Sequence, residues 1–428
     1  MWAVPLLIVV AACGMPAEDS EAQTDAGPYD LVYSIAPRPA AGEFAVTMSV
    51  AQSAPLLREV RFSFDPERYS EFSGSGELQV EDGQLRWYVP NGGGSLSWVA
   101  NVRRQRNDNG YDSWLDKNWG LTRAERVIPR AVTRTRKGAA SRTVLEFDLP
   151  KDWSAVTQYA PVDGRFPVDN PERRFDEPSG WMVMGPLGVR LDRINGTRIV
   201  VAGPEDNNVR RLDIITFLNW TLPEVYRLVP RPAERLTIVS AGDPMWRGGL
   251  SASQSLYLHA DRPLVSENGT STLLHEVLHV MFGLRSEAGF DWIVEGLAEY
   301  YTVEILSRSG GLSGERTERS LASLAEWAES VEVLCKDPST GARTAFAVTL
   351  FARLDAELRE TSGNQRSLDD VLEPLLASGD RVDADDLIRA ATDVAGARPD
   401  SLAEAALPGC GAEAVTDDEA TDGEAIDE

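Results

Sequence analysis

An α+β fold is predicted for this 428-residue chain, and three observations predict it. Apolar and polar residues alternate at period two through the first third. A second group of strand-like segments flanks one helical segment in the middle, and the pattern is helical from Ser271 to about Ala406. This order predicts an N-terminal β-sandwich domain over residues 29–160, a domain of mixed sheet and helices over 161–310, and a helical region over 311–410.

The chain opens with "MWAVPLLIVVAACG". This apolar run falls short of the roughly 20 residues that span a bilayer and fits the core of a secretory signal. Val10-Ala11-Ala12-Cys13 resembles the bacterial lipobox. The resemblance implies a signal peptide over residues 1–12, an acylated Cys13, and a polar tether over 13–28. Gly14 after the cysteine implies the outer membrane, facing the periplasm. No Lys or Arg precedes the run, which leaves an ordinary signal peptide or a misplaced start as alternatives. Export leaves Cys335 and Cys410 as an even pair in an oxidising compartment, where either a disulfide or two buried thiols is expected.

From Tyr29 to Leu149, "YDLVYSIA", "EFAVTMSV", "LLREVRFSF", "QLRWYV", "SLSWVAN" and "RTVLEFDL" read as strands between turn residues. The Arg-rich segment from Arg103 to Arg142 reads as a solvated loop. Pro, Gly and charge concentrate over residues 161–180, which marks a boundary. Beyond it "WMVMG", "GVRLDRING", "TRIVVAG", "RLTIVSA" and "SLYLHA" read as strands. "VRRLDIITFLNW" reads as a helix with Leu212, Ile215, Phe217 and Leu218 on its apolar face. No internal repeat is present, and "NGGGS" reads as a turn because no strand–loop–helix pattern with a lysine surrounds it. The end, residues 411–428, has no basic residue and no bulky apolar stretch, the composition of a disordered acidic tail. A net charge of −25 argues against nucleic acid as a partner and against adhesion to anionic lipid through charge.

Two of the chain's three histidines lie in "STLLHEVLHVMFGL". On a helix His275 and His279, four apart, share one face, so both imidazoles reach one zinc ion. Glu276 sits beside that pair, where it can hold and deprotonate a water at the metal. A buried histidine pair without a partner costs about 1–3 kcal/mol, which zinc offsets. The plainer reading is a core helix with chance histidines. The third ligand comes from "DWIVEGLAEYYTVEIL", a second helical pattern beginning 12 residues after His279. Glu295 completes a His–His–Glu site, and Glu299, one turn on, accepts the free N–H of a ligand histidine and fixes its tautomer.

"HEVLH" followed by "WIVEGLAEYY" resembles the gluzincin peptidases. Two subfamilies fit, the aminopeptidase N group and the glycyl aminopeptidases, metallopeptidase family sixty-one. The second is favoured. It has a β-domain before a thermolysin-like catalytic domain and a "GGLEH" strand upstream of the zinc helix, where this chain has "GGLSASQSLYLHAD". The resemblance implies a zinc peptidase with one Zn2+ per chain, held by His275, His279 and Glu295, with Glu276 as the catalytic base. The chain departs from the pattern at Ser251-Ala252, which replace the strand's Glu-His and remove the acid that holds a substrate's amine. The segment from His279 to Glu295 is shorter than in either subfamily, and no tyrosine follows Tyr301 to steady an oxyanion. His259 and Tyr257, on the strand before the zinc helix, are the substitutes considered, with a core role for His259 the plainer reading.

The expected function is a zinc-dependent peptidase of the bacterial cell envelope, tethered by lipid at Cys13, acting on peptide or protein substrates. The alternative is an envelope scaffold or binding lipoprotein with a zinc-bearing but idle peptidase-like domain.

Overall fold

The computed structural model describes residues 27–107, 110–170 and 174–410. The expected signal peptide, Cys13, the tether as far as residue 26, and the acidic tail lie outside them.

The N-terminal part is built on two sheets. One has six strands in the order Phe166–Val168, Ala139–Phe147, Gly27–Arg38, Glu43–Ala51, Gly93–Asn101 and Tyr69–Gly74. The other has four, Ala131–Thr135, Leu57–Ser63, Gln84–Tyr88 and Glu77–Glu81. The period-two pattern is what lets both sheets close over one core. In Gly27–Arg38 the residues Tyr29, Leu31, Tyr33 and Ile35 are buried while those between them are half-exposed. Phe62, Trp87 and Trp98 fill the space between the sheets.

The segment from Arg103 to Arg142 is not a loop. Arg104–Asn107, Gly110–Leu115 and Gly120–Arg123 form a third sheet with Trp181–Gly185 and Ser154–Val156. Alternation fails to reveal these strands for a physical reason: Gly120–Arg123 is buried on both faces. Trp181–Gly185, expected within the second part of the chain, pairs with Gly120–Arg123 and Ser154–Val156. It is buried along its whole length. Met182 and Met184 enter the sandwich core, whereas Trp181 and Val183 enter a smaller core with Val239, Leu250 and Tyr257.

The second part holds a mixed sheet in the order Leu187–Ile194, Thr197–Pro204, Arg235–Ala241, Ser255–His259, Gly249–Ala252. Its three middle strands are parallel and both edge strands are antiparallel to their neighbours. Helix α1 (Arg211–Leu228) connects two of the parallel strands. It buries Ile214, Ile215, Phe217 and Leu218, but Leu212, expected on that face, is exposed. Among the described residues six more α-helices follow: α2 (Thr272–Phe282), α3 (Asp291–Arg308), α4 (Gly314–Ala328), α5 (Ala342–Ser362), α6 (Leu368–Ser378) and α7 (Ala384–Ala395). Among the described residues no helix is long and apolar enough to cross a membrane.

Helix α3 is the axis of this part. Trp292, Ile293, Leu297, Tyr300, Tyr301, Ile305 and Leu306 are all buried, so its polar residues are confined to a narrow strip. Gly296 allows α5 to approach: a Cβ there would lie 2.4 Å from that of Ala347. The N-terminus of α3 has no side-chain cap of its own. Asp337 replaces it, accepting the amides of Gly289 at 2.7 Å and Asp291 at 3.1 Å. Asp337 is two residues past Cys335, which is bonded to Cys410, and the Trp292 indole donates to Cys335 Sγ at 3.3 Å. Closing a loop across 75 residues constrains the unfolded chain by about 4 kcal/mol. Replacing both cysteines by serine is expected to lower unfolding stability by up to that amount in a denaturant titration.

Candidate metal centre

Ser271 opens α2 by accepting the Leu274 amide at 3.2 Å, and Gly283, in the left-handed region at φ 59°, closes it. The apolar residues Leu273, Leu274, Val277, Leu278 and Met281 bury one side of α2. His275 and His279 are left on the side facing α3, where the polar strip of that helix presents Glu295 and Glu299.

The four side chains converge. His275 Nε2 lies 3.0 Å from His279 Nε2. Glu295 stands 3.2 Å from His275 Nε2 through Oε2 and 3.1 Å from His279 Nε2 through Oε1. Glu299 Oε2 is 2.9 Å from His275 Nδ1. If His275 donates its Nδ1–H to Glu299, its Nε2 is a bare lone pair aimed at a second imidazole and a carboxylate. Such a meeting of acceptors needs a proton or a cation between them. A tetrahedral zinc with bonds of about 2.0–2.1 Å separates its ligand atoms by about 3.3 Å, close to the spacings found. The residues present therefore fit the metal, and the three form a group whose ligand atoms lie within 4.8 Å of one another.

The electrostatics agree with that geometry. Burial opposes charge on His275, but Glu295 and Glu299 outweigh it and hold its pKa well above the ordinary histidine value. Burial likewise opposes charge on His279, and chiefly Glu295 reverses it to a raised pKa. Burial raises Glu295, and the two imidazoles overcome this to hold it below the usual carboxylate range. Glu276 goes the other way. Its burial prevails over the pull of both histidines, so its pKa is raised. The cation would draw it back down.

Glu276 does not join the triangle. It lies against the edge strand Gly249–Ala252, at a place that only glycine leaves open. A Cβ at Gly249 would fall 2.7 Å from Glu276 Cγ and 2.8 Å from Thr272 Cγ2. Gly249→Ala is expected to displace the carboxylate while leaving zinc content intact. A misplacement of this kind lowers turnover by about ten- to a hundredfold, which steady-state kinetics beside metal analysis would read. The edge strand itself is braced from behind. Trp181 donates its indole N–H to Leu250 O at 2.9 Å, and Arg123 Nη2 donates to Ser251 O at 3.0 Å. A cleft of about 840 Å³ runs between this strand and the two helices, lined by His275, Glu276, His279 and Glu295. It is large enough for a short peptide.

His259 is not part of the cleft wall. Its imidazole is buried, accepts the Asp261 amide on Nδ1 at 3.2 Å, and lies 3.6 Å from Asp243 through Nε2. His259 therefore takes the core position that was its plainer reading, and the catalytic role considered for it is corrected. Tyr257 donates to Trp246 O at 2.7 Å and packs on Trp181, so its hydroxyl is engaged in structure. Tyr300 and Tyr301 are buried in the helical core.

The structure adds Asp291, one turn before Glu295, on the cleft wall. Burial raises its pKa, the Ser339 amide opposes this, and Glu295 and Asp337 add to it. The spacing of Asp291, Glu295 and Glu299 at four and four was present in the sequence as one acidic strip on one helix face.

No protein-family model and no curated protein matches the sequence. Solved structures do. A protein of the aminopeptidase N family from Idiomarina loihiensis superposes with a TM-score of 0.64 at 14% identity, covering 84% of this chain and 75% of that one. A mutant of an M1 zinc metallopeptidase from Deinococcus radiodurans gives 0.55 at 18% identity, covering 88% and 93%. The likeness is one of fold. It places the chain's architecture beside zinc metallopeptidases of the aminopeptidase N kind, the other of the two subfamilies considered from sequence.

Glu299 offers a test that does not depend on turnover. With no acceptor for His275 Nδ1–H, the ring loses its fixed tautomer. Glu299→Ala is expected to weaken zinc about ten- to a hundredfold, measured by competition against a chelating dye.

Proposed function

We propose that the protein is a zinc peptidase that hydrolyses peptide bonds in the cleft between α2, α3 and the strand Gly249–Ala252. One observation carries this reading: His275, His279 and Glu295 converge within 3.0–3.2 Å of one another while Glu276 stands free of them beside the cleft. A site serving structure alone has no use for that additional carboxylate. The mixed sheet with an antiparallel edge strand, followed by a helix bearing both histidines and a second bearing Glu295, also supports the thermolysin-like arrangement expected from sequence.

His275, His279 and Glu295 would hold zinc, which would supply a Lewis acid for the scissile carbonyl and for water. The remaining work falls to the chain. Glu276 takes the proton of the attacking water and delivers it to the leaving amine. Glu299 orients His275. The edge strand, held by Trp181 and Arg123, gives an extended substrate a straight wall to lie along. Tethering at Cys13 would put this chemistry in the bacterial cell envelope, a setting with which the bond between Cys335 and Cys410 is consistent.

The test is digestion of a peptide library by the purified zinc-loaded protein, with products read by mass spectrometry. Cleavage that stops on chelation and returns with zinc is expected, and the cut positions separate endopeptidase from aminopeptidase action. A fully loaded protein that cleaves nothing would turn the reading toward the binding scaffold.

A further inference from the structure

Where α2 ends, the cleft acquires a feature that the metal chemistry does not use. Gly283 turns the backbone out of the helix, and Gly283 to Ser286 run along the cleft wall. Arg285 and Ser286 pair in parallel with Arg381 and Val382, in a register that sets Arg285 beside Arg381. Paired residues of a ladder project from the same face on strands about 4.8 Å apart. Two like charges placed so are destabilising unless something of opposite sign stands between them.

Some arginines of this helical part are matched with carboxylates, as are Arg308 with Asp369, Arg359 with Asp355 and Arg366 with Asp370, and others, Arg316, Arg343 and Arg398, donate to backbone carbonyls instead; Arg285 and Arg381 differ in standing side by side on one cleft. Among the described residues neither Arg285 nor Arg381 makes an ion pair, although acidic residues outnumber basic ones 67 to 42. Arg381 Nη1 donates to Ser286 O at 2.7 Å, which steadies that guanidinium and leaves its other nitrogens available. Both side chains are exposed, and both line the same cleft as His275 and Glu276. The cleft is thus divided by charge: carboxylates gather at the histidines and an unmatched arginine pair stands on the rim. A planar fork of donors suits a carboxylate.

We propose that Arg285 and Arg381 form an anion subsite that receives a carboxylate of the substrate, borne by an acidic side chain or by the free C-terminus of a peptide. The inference rests on the peptidase reading for its substrate class, and its test is arranged to fail separately. The full chain carrying Glu276→Gln, loaded with zinc, is mixed with short peptides containing Glu or its isostere Gln, each made as free acid and as C-terminal amide. Retained peptides are identified by mass spectrometry. Carboxylate-bearing peptides are expected to be retained about five- to tenfold over the neutral set, the scale of exposed charge-assisted contacts. The Glu-amide and Gln-acid arms show which carboxylate is read. The preference should shrink as salt is raised. It should vanish in the Arg285→Gln, Arg381→Gln double variant and persist in part when both become lysine. Zinc content and the unfolding midpoint of each variant report that the fold is kept. Equal retention of all four peptide sets, or a preference that survives the double glutamine change, would overturn the proposal. Charge-selective retention by a protein whose wild type cleaves nothing would instead overturn only the peptidase reading.

Discussion

Glu276→Gln is expected to abolish peptide cleavage while zinc binding is unchanged. The substitution keeps the shape of the side chain against Gly249 and removes only its ability to accept and pass on a proton. Loss of a positioned general base lowers turnover by about 10²–10⁴-fold. Metal content should stay near that of the wild type because Glu276 lies outside the triangle of His275, His279 and Glu295. In the wild type, kcat/KM should fall as pH drops through the ionisation of Glu276, whose pKa burial raises and a bound cation lowers. A variant that retains a tenth or more of wild-type turnover would remove Glu276 from the reaction.

Zinc uptake is expected to release protons, and its affinity to climb with pH. In the metal-free site both imidazoles are drawn toward the charged form by Glu295 and, for His275, also by Glu299. Coordination needs their bare lone pairs, so about one to two protons must leave for each ion bound. Calorimetric titration of the metal-free protein in buffers of different ionisation enthalpy counts them directly, and a count of zero would contradict the arrangement. The same groups set how the metal-free fold responds to pH. Histidine pKa values raised above their ordinary 6.5 stabilise the fold fully below that value, and the benefit is lost as pH rises through the folded pKa values. Glu295, lowered from its ordinary 4.5, stabilises above that value and loses the benefit as pH falls. This cluster therefore supports the metal-free fold best between about 4.5 and 6.5. Above that window, loading with zinc should raise the unfolding temperature most.

The residues legible from sequence were those whose chemistry is local. His275 and His279 share a turn, Glu295 and Glu299 share the next helix, and strict spacing carried both pairs. The strands from Gly27 to Asn101 were legible where one face is buried, as in Gly27–Arg38. What stayed hidden depends on distant partners. Gly120–Arg123 and Trp181–Gly185 are covered on both sides by elements far away in the chain, so they carry no alternation. Ala131–Thr135 is an edge strand with only half-buried positions to mark it. His259 lay one strand before the zinc helix, but backbone pairing turned it toward Asp243 and Asp261. Asp337 shows no feature in sequence that marks it as the cap of α3, a role created by the chain folding back across 46 residues.

Trp181–Gly185 carries a lesson for anyone who would cut the molecule in two. One side of it belongs to the sandwich and the other to the wall that braces Leu250. A fragment starting at Gly180 would carry this strand stripped of its neighbours Gly120–Arg123 and Ser154–Val156, with two methionines turned to water. A fragment starting after it would lose the indole that steadies the rim beside Glu276. The halves share a single beam, so neither can be swapped, shed or evolved without the other feeling the change.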